Sequence, residues 1–242
     1  MSDRERRLYL IRHGRAHSRA SDEAMTSRGV VADPPLDETG RQQAEILTRR
    51  LLKMVPPAGL YVSPLRRARE TVAPFEAAAG RTATVVDDLT EWYGGAWEFK
   101  EFEQLLVEHP EMPGRVLRQD PVLFLAPGGE RQDAFQSRVV GAIEEILASD
   151  TDGDVWAVCH GGVINAYVGR ILGIREQEMF FLPPNTSINT IRVRGADRDV
   201  WFLADDTHLT QPDLFADDVH RPAYTPAQSD TPDTPPEPDT KE

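Results

Sequence analysis

The chain has 242 residues, enough for one generous α/β domain or two small ones with a full core. Hydrophobic residues make up 40% and charged residues 28%, an ordinary composition for a globular enzyme. The formal net charge of −13 disfavours nonspecific binding to nucleic acid or to an anionic membrane.

From the N-terminus, the first apolar run is 8–11, LYLI. It is too short for the core of a signal peptide and reads as a buried strand. A helix follows over 38–54, with Ala44, Leu47, Leu51 and Met54 on one face. The run 60–63 is a second strand. Ser63-Pro64 then reads as a helix start, a capping hydroxyl followed by a proline whose missing N–H costs nothing there. That helix carries the stripe Leu65, Ala68, Val72 and Phe75. A third strand is expected at 84–86 and a long helix at 132–149, with Phe135, Val139, Ala142 and Ile146 inward. A fourth strand, 155–159, leads through His160-Gly161-Gly162 into a helix bearing Val163, Ile164, Val168 and Leu172. Two late strands, 188–193 and 200–204, are expected as a pair near a sheet edge. Strands alternating with helices imply a mainly parallel sheet covered on both faces, a three-layer α/β/α sandwich.

The acidity is uneven, with ten acidic against two basic residues from Asp205 to Glu242. From 211 onward the chain also holds 7 of the 19 prolines and few large apolar side chains. Such a segment buries too little surface to offset its ordering entropy, so the expected division is one domain over 1–210 and a disordered acidic tail over 211–242. No span is long enough to cross a bilayer, and the single cysteine, Cys159, rules out an intrachain disulfide; a cytoplasmic location is expected.

Two of the six histidines directly follow apolar runs, His13 in LYLIRHG and His160 in VWAVCHGG. Ligands of parallel α/β sheets bind beyond the carboxyl ends of strands, which is where both would sit. Each precedes a glycine, which allows close backbone approach to a ligand. Arg12 adjoins His13, and Arg67 falls in the first turn of the helix after Ser63-Pro64. Guanidinium groups bind phosphate oxygens bidentately and stay charged. Taken singly, Arg67 reads better as a solvated helix residue like Arg66, which can pair with Glu70.

Together, LIRHG, DPPLDETGRQQAE, SPLRRARET, LTEWYGGAWE and VCHGG, in that order from Leu8 to about Val193, resemble the histidine phosphatase superfamily, the phosphoglycerate-mutase-like group. PGGE (127–130) and PNTSINT (184–190) resemble further segments of it. The resemblance implies a phosphoglycerate-mutase-like fold and makes His13 a nucleophile that carries the phosphoryl group. Arg12, Arg67 and His160 would hold that group, and Glu91 of LTEW would be the acid/base carboxylate. Arg15 and Gly161 are further candidates for substrate binding. The activity implied is metal-independent hydrolysis of phosphomonoesters through a phosphohistidine, with no cofactor. The partner would be a small phosphorylated metabolite rather than nucleic acid or a membrane.

The sequence departs from the family after RHG, where Arg15, Ala16, His17, Ser18 and Arg19 replace the usual residues, and at Phe99, where a glycine is common. Specificity is expected in the loops 15–33 and 92–129. A cofactor-dependent mutase would share the core but carry an Arg-Arg pair after the acid/base glutamate. Here 92–121 offers only Lys100, Arg115 and Arg118. An inactive phospho-ligand-binding module is a further alternative, opposed by retention of all five core residues. Other phosphatase chemistries fit poorly. Cys159 is followed at six positions by Asn165 rather than arginine. The acidic cluster 150–154 lacks the glycine and strand of a calcium loop or aspartate nucleophile. His13 and His17 have zinc-ligand spacing but lie after a strand, so no metal is expected. His109, His208 and His220 are read as surface or structural, and Cys159 as a packing residue.

Overall fold

The computed structural model describes residues 5–18, 22–26, 29–100, 102–112, 126–149, 153–174 and 180–216. A six-stranded sheet lies at the centre in the order β5-β4-β6-β1-β7-β8. Its strands are β1 (Arg6–Arg12), β4 (Gly59–Val62), β5 (Thr84–Val85), β6 (Val155–Cys159), β7 (Ile188–Arg194) and β8 (Asp197–Asp205). β5, β4, β6 and β1 run parallel, while β7 pairs antiparallel with both β1 and β8. The expected late pair is therefore present, with β8 as the sheet edge.

Period-two alternation divides the sheet residues between two cores. Tyr9, Ile11, Leu60, Val62, Trp156 and Val158 pack with Leu47 and Leu51 of α1 (Glu38–Leu52) and with Ala68, Val72 and Phe75 of α2 (Arg66–Ala79). Leu8, Leu10, Val155, Ala157 and Cys159 face the other way. They meet Phe135, Val139, Ile143 and Ile146 of one long helix, Gln132–Ser149, and Val163, Ile164 and Val168 of Gly161–Leu172. With a short α3 (Phe102–Glu108) between, these two helices are α4 and α5. The result is a three-layer α/β/α sandwich. None of the helices described is long and apolar enough to cross a membrane.

Three local expectations change. Ser63 does not cap α2: the helix starts at Arg66 with Leu65 at its N-cap and no side-chain cap, and the Ser63 hydroxyl is used elsewhere. Leu172 is half exposed at the end of α5, off the buried stripe, while the helix is buried from Gly161 to Gly169. A two-stranded hairpin, β2 (Glu23–Thr26) with β3 (Gly29–Ala32), occupies a stretch read as loop. Of the expected tail, Pro212–Phe215 forms a 3-10 turn with the Arg50 guanidinium over the Phe215 ring, and 217–242 lies outside the described residues.

Candidate active site

Because β1, β6, β4 and β5 are parallel, their carboxyl ends open on one side of the sheet, and the candidate residues are delivered there. His13 follows β1 and His160 follows β6. The pairing of these neighbouring strands extends one residue past them, His13 N–H donating to Cys159 C=O at 3.0 Å. The two rings lie with centroids 5.1 Å apart, tilted by 57°. Arg67 sits in the first turn of α2, just beyond β4. Glu91 comes from the segment after β5 and reaches the start of α5, where its Oε2 accepts the Gly162 N–H at 3.0 Å.

The His13 side chain is nearly buried, and its Nδ1 lies 2.7 Å from the Gly14 carbonyl oxygen. A carbonyl only accepts, so Nδ1 carries the proton and Nε2 keeps the lone pair in the neutral ring. The main chain of this turn is clamped as well. Arg12 N–H donates to Ser187 C=O at 3.1 Å, while the His13 carbonyl accepts Asn185 Nδ2 at 3.0 Å and Thr186 N–H at 3.3 Å. Gly14 donates its N–H to Thr71 Oγ1 at 2.9 Å. A Cβ on Gly14 would stand 2.8 Å from the Gly40 carbonyl, so no larger residue fits where this loop crosses the start of α1.

Both guanidinium groups are partly committed to backbone. Arg12 Nη1 donates to Pro183 C=O at 2.5 Å, and its buried Nε has no hydrogen-bond partner among the described residues. Burial pushes the Arg12 pKa down, opposed by the charge of Glu91, which places that carboxylate within electrostatic reach. Arg67 is buried and donates to Ala32 C=O at 3.2 Å, with Asp33 at 4.0 Å. His160 is fully buried. Its Nε2 lies 2.7 Å from Ser63 Oγ, and its Nδ1 has no hydrogen-bond partner among the described residues. Burial first, then the positive charge of Arg67, the neighbouring His13, and the charges of Arg12 and Arg138, hold its pKa well below the ordinary 6.5, so the ring is neutral near neutral pH.

Glu91 is positioned by a second contact, Oε1 accepting the Trp92 N–H at 2.9 Å. Gly162 is required beside it, because a Cβ there would fall 2.2 Å from Glu91 Oε1. Gly161 opens α5 buried in the same corner, and its carbonyl accepts Asn165 Nδ2 at 2.9 Å.

The structure thus brings His13, His160, Arg12, Arg67 and Glu91 to one end of the sheet, with Gly161 beside them. Arg15 is engaged differently from the expectation of a substrate ligand. Its guanidinium is mostly exposed and bonds Asp37 at 2.5 Å and Thr39 at 2.7 Å at the start of α1. Asp37, the N-cap of that helix, supplies the carboxylate that holds the guanidinium. Of the basic residues in 92–121, Lys100 pairs with Glu108, and Arg115 and Arg118 lie outside the described residues.

Several contributors escaped the sequence reading. Ser63 partners His160. Asn165 satisfies all its groups by holding Phe180 and Phe181 as well as Gly161, which steadies the segment carrying Pro183 to Arg12. Glu98 is buried and accepts Ala32 N–H at 3.0 Å, fixing the residue whose carbonyl receives Arg67. The PNTS run was the available signal for Asn185 and Thr186. Nothing in local sequence marked Asn165.

Known proteins resemble this chain in sequence and in fold. The profile of the histidine phosphatase superfamily (branch 1) matches residues 8–206. The chain is 28% identical over 207 residues to putative phosphoserine phosphatase 2 of Hydrogenobacter thermophilus, covering 85% of this chain and 98% of that protein. It is 26% identical over 204 residues to the metal-independent phosphoserine phosphatase of Arabidopsis thaliana, covering 84% and 83% of the two chains. The fold matches the crystal structure of phosphoglycerate mutase from Bacillus anthracis with a TM-score of 0.72 at 21% identity, over 87% of this chain and 98% of the other. The chain belongs to the histidine phosphatase superfamily, branch 1.

Proposed function

We propose that this protein is a metal-independent phosphatase that hydrolyses small phosphomonoesters through a phosphohistidine on His13. The observation that carries the reading is the paired rings at the ends of β1 and β6, with His13 Nδ1 donating to Gly14 and the lone pair left on Nε2. That lone pair attacks phosphorus in line, and the bond to the leaving oxygen breaks as the N–P bond forms. Glu91 supplies the proton the leaving alkoxide needs. Water then attacks the phosphohistidine, Glu91 takes its proton, and the N–P electron pair returns to the ring. Arg12 and Arg67 meet the charge that spreads over the phosphoryl oxygens, and a neutral His160 with its proton on Nδ1 adds a donor. A Ser63 hydroxyl donating to Nε2 selects that tautomer, and the bare Arg12 Nε and His160 Nδ1 are the kind of buried donors a phosphoryl oxygen satisfies.

Relatives named as phosphoserine phosphatases support hydrolysis over mutase transfer, and their names support a reading in which phosphoserine and phosphorylated alcohols of similar size are the substrate class. We place this chemistry in the cytoplasm, in a single catalytic domain followed by an acidic tail. Incubation with radiolabelled phosphoserine, followed by quenching, tests the intermediate. The wild type should carry an acid-labile, alkali-stable label that is absent from His13→Ala, with turnover of that variant down by ~10⁴-fold or more. An acid-stable label, or substantial turnover by His13→Ala, overturns the assignment.

A further inference from the structure

The segment bearing Glu91 has no regular structure after a 3-10 turn at Asp87–Leu89, yet its carboxylate must meet a leaving oxygen accurately. Three of its carbonyls converge on one side chain from α4. Arg138 Nη1 donates to Asp88 C=O and Thr90 C=O, both at 2.8 Å, and Nη2 donates to Glu91 C=O at 3.2 Å. The remaining edge of the guanidinium forms a fork with Glu130, Nε to Oε1 at 2.7 Å and Nη2 to Oε2 at 2.8 Å. Each of the five N–H groups has an acceptor, and the guanidinium carbon lies 4.7 Å from the centroid of the Phe135 ring.

Glu130 grips the other end of the same segment. Its Oε2 accepts Tyr93 N–H at 3.4 Å, its backbone N–H donates to Tyr93 C=O at 2.9 Å, and its carbonyl accepts Trp92 Nε1 at 3.0 Å. Both side chains of the pair are only 11% exposed. A buried ion pair is a poor device for stability, because its desolvation offsets much of its attraction, but it fixes geometry strongly when every donor and acceptor is used.

We infer that the Arg138–Glu130 pair is the positioning device of the proton donor, holding 88–93 so that the Glu91 carboxylate stays on the Gly162 N–H and in line with the leaving group. The inference rests on the reading of Glu91 as that donor. Arg138 acts through Glu91 and takes no part in proton transfer itself.

The test compares Arg138→Lys, Glu130→Gln and Glu91→Gln on an alkyl phosphate, such as phosphoserine, and on p-nitrophenyl phosphate. kcat/KM is the quantity to read, since it reports only steps up to departure of the leaving group. Arg138→Lys keeps the positive charge near His160 but cannot make the five-bond fork, and Glu130→Gln keeps the shape of its side chain, so either serves if the other folds poorly. Both should lose ~30–100-fold on the alkyl phosphate and only a few-fold on the aryl phosphate, the loss expected from displacing the donor by an ångström. Glu91→Gln should show the same split, deeper. If Glu91→Gln splits the substrates while the other two variants lower both equally, or neither, the positioning role is refuted and the donor stands. If Glu91→Gln itself lowers both equally, the donor reading fails and this inference falls with it.

Discussion

His208 is fully buried, and its hydrogen bonds dictate its charge. Arg50 Nη1 lies 3.2 Å from Nδ1, and a guanidinium can only donate, so Nδ1 is an acceptor. The proton then sits on Nε2, 3.0 Å from Thr186 Oγ1. Thr186 holds φ +59°, a strained value for a β-branched residue, while its N–H supports the His13 carbonyl. Burial first, then the charge of Arg50, lower the His208 pKa from 6.5 to about 4, against an opposing effect of Asp205. Because the folded pKa lies below the unfolded one, the unfolded chain takes up a proton first as pH falls. The contribution is complete above the unfolded pKa and declines as pH drops from 6.5 towards 4. From about pH 7 to about pH 5 it amounts to ~2 kcal/mol. Urea denaturation of the wild type and His208→Gln across that range measures it. Glutamine offers an acceptor and a donor without a titration, so the variant should lose ~2 kcal/mol less than the wild type on acidification. His160, also held neutral, titrates equally in both proteins and cancels, and Asp205, with its pKa driven far down by Arg50 and Thr207 despite burial, stays ionised. Parallel stability curves for the two proteins would show that His208 is not held neutral in the native state.

Three further outcomes are expected. Gly162→Ala would bring a Cβ to 2.2 Å from Glu91 Oε1, forcing the carboxylate aside by about 1 Å and lowering kcat/KM for alkyl phosphates ~10²-fold, with aryl phosphates less affected; unchanged alkyl phosphate turnover would contradict the placement of the donor. Arg15→Ala should cost ~1 kcal/mol or less in thermal or urea unfolding and leave kcat/KM within a few-fold, as its mostly exposed guanidinium is engaged with Asp37. A loss above ~10-fold would return Arg15 to phosphate binding. Extended dialysis against EDTA should leave phosphate release unchanged, whereas loss restored by a divalent cation would point to a different mechanism.

The parts of the site legible in the sequence are those whose chemistry is local. His13 and His160 could be placed because each ends an apolar run that had to be a buried strand, and Arg12 and Gly14 come with the same turn. The helical part of the core followed from the spacing of apolar residues, which put Leu47 and Leu51, Val72 and Phe75, and Val139 and Ile146 on the faces that are buried. What escaped depends on partners distant in the chain. Ser63 looked like a helix cap because Ser-Pro so often is one, but His160 competes for its hydroxyl from 97 residues away. Arg138 and Glu91 are separated by 47 residues, and Asn165 gives no periodic or motif signal for the loop it pins. Arg15 was drawn towards the pocket by its charge alone, when the carboxylate of Asp37 was the nearer claim. The β2–β3 hairpin has strands of four residues each, too short to reveal alternation.

The order of strands carries a consequence for how this enzyme is made. β1 and β4 emerge first from the ribosome but never touch, since β6 lies between them and bonds to both. Until residue 159 is synthesised, β1 has no neighbour in the sheet, β4 has only β5, and half of the histidine pair is missing. Closing that gap means inserting one five-residue strand across a separation of more than 140 residues, a slow and aggregation-exposed step. Fragments that stop short of β6 should therefore be chaperone clients rather than small working domains, and catalysis appears only once the sheet is complete.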